Sequence, residues 1–478
     1  MFVVQTKQLF VRMWNNAHDS RLLDVASLEV FLMKEIVCRF ALLLLLFALP
    51  STAFAAFQAQ QQSTAPDASA QASHTTVSAT GPAYVLPPDK LAEAIALNRV
   101  NVRLHFVDAV WGIVVLLLLL QLGIIAKYRD WAVSASRSRF LQGLIIFPLF
   151  FITTWLLSLP VDFYGQTVQL RYGLSVQSWG SYLGDSLKAL AITIVLGTLI
   201  LEVVFLVIRR SPRRWWFYFW LLSLPMLIFG IFLQPVVIDP MFNHFEPLAK
   251  TNPALVADLE RVVARGGLSI PPERMFLMRA SDKVTTLNAY VTGIGASKRI
   301  VVWDTSIAKG TPDEIMFIFG HEMGHYVLDH IYKGLAFAAL LFVAMLWLGY
   351  HAARWIIARF GAGWRIPDVS DYAAVAVLML ALSIFGVVSE PIMNTFSRHL
   401  EHQADIYGQE AMHGLLPDPQ RSAQNAFQIL GELSLDDPDP SEFTIFWMYS
   451  HPDIQTRANF ARAYNPWVPN AQPKYFAK

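Results

Sequence analysis

Six apolar stretches dominate this chain, near residues 107–126, 140–160, 186–208, 215–237, 334–353 and 372–393, and each is long enough to cross a bilayer. A backbone in hydrocarbon has no water to bond, so stretches of this kind are read as helices. Composition agrees: 55% of the 478 residues are hydrophobic and 15% charged, against about 25% charged in soluble domains. The expected fold class is mainly α, a polytopic membrane protein. The single cysteine, Cys38, excludes a disulfide framework. A net charge of +1 without a long basic run gives no footprint for nucleic acid.

The N-terminus carries its own pattern. From Met33 the chain reads Lys34 and Arg39, an apolar run from Phe40 to Leu49, then Ala53-Phe54-Ala55. That order is the one of a secretory signal peptide cleaved after Ala55, with an uncleaved first anchor as the alternative. Residues 1–56 are therefore expected to be an extension plus signal peptide or anchor, and 57–88 a low-complexity linker rich in Gln, Ser, Thr and Ala. Residues 89–104 have helical apolar spacing. Membrane helices are expected over 89–237 and 333–393, with polar, catalytic regions over 238–332 and 394–478.

Loops 127–139, 209–214 and 354–370 carry the Lys and Arg excess, whereas loop 161–184 has only Arg171. By the positive-inside rule these three loops face the cytoplasm and both polar regions face the opposite side, as in a bacterial inner-membrane protein with an extracytoplasmic site.

The first polar region closes on "TPDEIMFIFGHEMGHYVLDH", residues 311–330. Thr311 can cap a helix, with Pro312 in its first position and Asp313 and Glu314 in its first turn. His321 and His325 are four apart and share one face, the spacing that holds one Zn²⁺, and Glu322 stands beside them to take a proton from water. Among 12 histidines an accidental motif of this form should arise on the order of once in a hundred such chains, so a third ligand is needed to support it. Leu328 stands where one common extension of the motif requires Gly, so that ligand lies elsewhere. In "NTFSRHLEHQADIYG", residues 394–408, Glu401 and Asp405 share a face. Glu401 is the candidate ligand, and Asp405 is the candidate acceptor of a ligand N–H. His399 and His402 are rivals on another face, and a solvated helix with Arg398–Glu401 and His402–Asp405 pairs is the alternative to any site.

Together, "GHEMGHYVLDH", "NTFSRHLEHQAD", "LNAYVTGIGASKRIVVWDT", "QPVVIDPMFNHFEPL" and "SHPDIQTRANFA" resemble the type I CAAX prenyl protease family, membrane-embedded zinc metallopeptidases of the gluzincin type. The resemblance covers roughly residues 90–465. It implies a ring of membrane helices enclosing a water-filled chamber, one Zn²⁺ per chain, Glu401 as third ligand and Asp405 as a proton donor. It also implies that His451 and Arg457 face the metal and stabilise an oxyanion. The residues themselves read "NAYVTG" and "KRIVVWD" as a short hairpin around Gly293 and Gly295, where Asn288 and Tyr290 could meet a substrate added as a strand. His330, Asn394 and Arg398 are expected to support the ligands, and the carboxylates of Glu202 and Glu390 to face a cavity or a partner.

The function expected is zinc-dependent hydrolysis of membrane-associated or misfolded protein segments, with peptide or protein substrate and lipid bilayer as partners. Removal of the C-terminal tripeptide from prenylated CAAX proteins is the alternative that the resemblance supplies. A non-catalytic zinc scaffold or transporter is the alternative of another class; loss of Glu322 or a ligand would mark it, and all are present.

Overall fold

The computed structural model describes residues 81–293 and 298–476. The expected signal peptide, most of the linker, Cys38 and Gly295 lie outside the described residues. Among the described residues, six helices are long and apolar enough to cross a membrane: α1 (Pro88–Gln121), α3 (Arg139–Arg171), α4 (Trp179–Arg210), α5 (Trp215–Phe242), α8 (His330–Trp364) and the span Tyr372–Ala411, most of which is α9 (Val375–Ala411). A further helix, α2 (Ile124–Ala135), joins the first two. The expected helix over 89–104 and the first expected span are one rod, and the break comes at Gly123, whose φ of 64° favours a residue without Cβ. Large apolar side chains stay exposed on the spans, among them Leu156, Val195, Phe229, Leu340 and Val388. Surface of that kind belongs against lipid rather than water.

The water-side region has a four-stranded sheet in the order β1-β2-β4-β3: β1 (Phe245–Pro247), β2 (Met275–Met278), β3 (Ala289–Thr292) and β4 (Arg299–Trp303). The expected hairpin is β3 and β4, paired antiparallel with Tyr290 opposite Val301. The sheet adds β2 parallel to β4, a long-range pairing with no local signature. Helices α6 (Pro253–Arg265), α7 (Pro312–Val327), α10 (Pro419–Ser434), α11 (Glu442–Met448) and α12 (Ile454–Ala463) complete this part.

Two large cores, beside a small third one at Met278 and Val301, stand out among the described residues. One gathers Leu259, Val302, Phe319, Met323, Tyr407 and Phe427 around α7. The other gathers Leu119, Phe147, Phe205, Ala353 and Val377 among the spans. α1 and α9 contribute to both, Leu97 and Leu119 from the first, Val377 and Tyr407 from the second. α9 also passes unbroken through position 393/394, where the sequence reading places a region boundary. Hydropathy changes there, but the helix continues because its lower half is buried by α7 and α12.

Candidate functional site

α7 begins on a capping box. Thr311 Oγ1 accepts from Glu314 N–H at 3.3 Å, and Glu314 Oε2 accepts from Thr311 N–H at 2.8 Å, an arrangement worth about 1 kcal/mol. The helix stops before Asp329, whose φ of 58° turns the chain, so His330 opens α8 rather than extending α7. α7 then crosses α9 at very close range. A Cβ on Gly408 would meet His321 N at 2.8 Å and His321 Cα at 3.0 Å, and one on Gly324 would meet Tyr407 Cβ at 3.0 Å. Only small residues allow this approach, and it sets the histidines of one helix against the carboxylates of the other.

His321 Nε2 lies 3.1 Å from His325 Nε2 and 3.2 Å from Glu401 Oε2, and His325 Nε2 lies 3.5 Å from Glu401 Oε1. Ligand atoms about 2.1 Å from a tetrahedral metal stand about 3.4 Å apart, so the donor set fits a cation at its centre. Glu401 Oε2 is buried without a hydrogen bond although two imidazole nitrogens are near. A buried carboxylate oxygen left in this state is costly unless a charge completes it. Nitrogen and oxygen donors of this kind suit zinc. His399 and His402 are occupied elsewhere: His399 pairs with Gln403 at 2.7 Å, and His402 packs edge-on against Phe460.

Behind the donors, Asp405 Oδ1 sits 2.8 Å from His321 Nδ1, which leaves His321 Nε2 as the metal-facing nitrogen. Burial alone would lower the His321 pKa; the Asp405 and Glu401 carboxylates reverse this and raise it to about 9 in the chain alone. His330 Nδ1 does the corresponding job for His325 Nδ1 at 3.2 Å, and its own Nε2 rests on Gln403 Oε1. Glu322 lies close enough to His321, His325 and Arg457 to feel their charges, while burial raises its carboxyl above the ordinary value. His451 Nε2 reaches Glu401 Oε2 at 3.2 Å and remains half exposed.

The remaining sequence candidates fall in two groups. Asn394 Nδ2 donates to Trp447 O at 2.6 Å, and Arg398 Nη1 donates to Ile445 O and Tyr449 O at 2.9 and 2.6 Å. These two hold the segment leading to His451. Tyr290 packs with Met278 and Val301, and the backbone of Asn288 bonds Ser306 and Trp303, so neither belongs to the donor cluster. β3 does form an edge of the sheet and packs on α7. Glu202 finds a partner rather than a cavity: Tyr372 donates to it at 2.9 Å between buried helices. Gln403 and the glycines of the crossing were not singled out from the sequence. The small-residue spacing Gly320, Gly324 on α7 and Ala404, Gly408 on α9 was the available signal.

Comparison with known proteins identifies the family. A Bacillus subtilis protein described as "Uncharacterized metalloprotease YhfN" is 35% identical over 80% of this chain and 87% of its own length. The model for "Peptidase family M48" matches residues 249–465, and that for "CAAX prenyl protease N-terminal, five membrane helices" matches 72–244. The chain belongs to peptidase family M48. Among its other M48 relatives, the Saccharomyces cerevisiae CAAX prenyl protease 1 is 26% identical over 56% of this chain and 62% of that protein. The crystal structure of S. mikatae Ste24p aligns with a TM-score of 0.68 and 22% identity, covering 78% of this chain and 89% of that one. The shared fold is a set of membrane helices enclosing a chamber. This M48 protein is thus a multi-pass membrane metalloendopeptidase, and a bound metal is implied by its family.

Proposed function

We propose that the chain binds one Zn²⁺ through His321, His325 and Glu401 and hydrolyses peptide bonds in membrane-associated or misfolded protein segments at an extracytoplasmic site of a bacterial inner membrane. The observation that carries this reading is the convergence of three donor atoms from α7 and α9 at 3.1–3.5 Å, with Asp405 fixing the outer nitrogen of His321. When bound, the metal supplies Lewis acidity at a scissile carbonyl and lowers the pKa of water. Glu322 takes the proton of the attacking water and returns it to the leaving amine. Its raised carboxyl pKa suits both steps. Asp405, held by Arg457, keeps His321 in one tautomer. His451, half exposed beside Glu401, is placed to donate to the developing oxyanion. A peptide added to the free edge of β3 would run past α7, with Asn288 and Tyr290 as neighbours.

The relatives named as CAAX prenyl proteases support a second substrate, a prenylated C-terminal peptide. The Lys and Arg excess in three loops supports a site away from the cytosol, where such peptides are made, and so favours the first. Purified wild type, Glu322→Gln and Glu401→Ala, assayed for zinc and for cleavage of quenched peptides with and without a farnesylated member, decide the matter. Glu322→Gln should keep about one zinc and lose turnover by roughly 10²–10⁴-fold. Glu401→Ala should lose the zinc. Retention of zinc by Glu401→Ala removes the assigned ligand, and cleavage confined to the farnesylated peptide replaces the first substrate by the second.

A further inference from the structure

One face of α9 carries Glu390, Asn394, Arg398, Glu401 and Asp405, spaced by three or four residues and so aligned along a single stripe. Their partners follow in order. Glu390 Oε2 meets His105 Nε2 of α1 at 3.0 Å. Asn394 and Arg398 hold carbonyls at the end of α11, Glu401 meets His451, and Asp405 meets Arg457. The metal-ligand end of the stripe is the candidate site. The other end lies at the margin of the apolar stretches 107–126 and 372–393, and the His105–Glu390 pair there is still 27% and 30% exposed.

Between those two ends lies an aromatic patch with no role in the chemistry above. Phe106, next to His105, packs against Phe443 and Trp447 at ring distances of 5.7 and 5.8 Å, and Phe446 packs on Trp447. Phe443 and Phe446 remain 53% and 51% exposed. Their helix, α11, is pinned to α9 through its last carbonyls and leads within three residues from Met448 to His451. Asn394, which holds Trp447, precedes Glu401 by seven residues, about 10 Å along the helix. That is the distance spanned by about three residues of an extended peptide.

We infer that Phe443 and Phe446, backed by Phe106 and Trp447, form an apolar subsite on the chamber wall that takes one bulky apolar side chain of a peptide substrate a few residues from the scissile bond. The inference rests on the peptidase reading above and adds the specificity-determining surface. Its occupant follows from continuity: the patch is joined through α11 to the segment bearing His451, which reaches Glu401, and borders the partly exposed His105–Glu390 contact on the same stripe.

The test uses the zinc-loaded full chain in nanodiscs and a peptide series in which each position near the cleaved bond carries Ala, Leu or Phe. Wild type should favour Leu and Phe over Ala at one position by roughly tenfold or more. Phe443→Ala and Phe446→Ala should collapse that ratio at that position while keeping zinc, and Phe443→Leu should keep most of it. Phe229→Ala, on the exposed surface of α5, controls for loss of any exposed ring and should leave the ratio intact. In parallel, fluorescence anisotropy of labelled peptides on a Glu322→Gln background reads binding without turnover. An unchanged ratio and unchanged binding in both alanine variants overturn the inference. So does a change that tracks lipid composition or oligomeric state instead of the peptide. If zinc-loaded wild type cleaves nothing, the proposed function fails separately, and the anisotropy arm still decides the patch.

Discussion

The guanidinium of Arg457 forks onto Asp405, Nη2 to Oδ1 at 2.7 Å and Nε to Oδ2 at 3.0 Å, and the same Oδ1 lies 2.8 Å from His321 Nδ1. A residue 52 positions beyond Asp405 thus fixes the carboxylate that orients a ligand. Asp405→Asn should weaken zinc binding by about 10–100-fold and leave a buried cation unpaired, at a cost on the order of 3–5 kcal/mol. Adding Arg457→Gln should restore part of the stability but not the affinity. Chelator competition and thermal unfolding of the two variants check this; equal affinity in Asp405→Asn would remove the orienting role.

The helix crossing makes a second prediction. Gly408→Ala forces a Cβ to within 2.8 Å of the His321 backbone nitrogen, which no rotamer change relieves. Separating α7 from α9 should cost about 1–3 kcal/mol and reduce zinc content together with activity. Gly112→Ala, where nothing lies within 4 Å, is the control and should change neither.

Arg398 tests the segment that carries His451. Lysine keeps the charge but cannot bridge Ile445 O and Tyr449 O with one planar group. With His451 in its proposed role on the transition state, Arg398→Lys should keep zinc and lower kcat by roughly tenfold, with a smaller change in KM. Steady-state kinetics beside metal analysis separate this from general destabilisation, which would lower both.

Asp436 should give stability a pH dependence. Burial raises its pKa to about 6, and Arg457 only partly opposes this. A folded pKa above the unfolded one means the folded state binds the proton more tightly. This group's contribution is therefore fully present below about pH 4 and lost as pH rises through about 6. Asp436→Asn should be more stable than wild type at pH 7.5, by on the order of 1–3 kcal/mol, and equal to it near pH 4. Unfolding midpoints across that range would show the two curves converging at the acidic end.

Local spacing carried much of the site. His321, Glu322 and His325 are a helix pattern, and Thr311 with Glu314 marks where that helix starts. Glu401 and Asp405 were legible as one face, and hydropathy alone located the six spans. The carbonyl grips of Asn394 and Arg398, the Gln403 support of His330 and the Tyr372 partner of Glu202 were not legible, since each joins residues far apart in the chain. The same holds for β2 beside β4, which needs the chain between Met278 and Arg299 to return before any pairing exists.

The sequence by itself determined which segments are helical, which of them suit a bilayer, and which side chains have the chemistry of metal ligands, because periodicity, hydropathy and ligand type are properties of neighbouring residues. Only the tertiary structure decided that α7 and α9 meet at glycine distance, and hence that two histidines and a distant carboxylate share one centre. The small-residue spacing in each helix permits that crossing but does not name its partner. The crossing follows from burying the small-residue faces of both against each other, with Arg457 and His451 delivered onto the same stripe from the end of the chain.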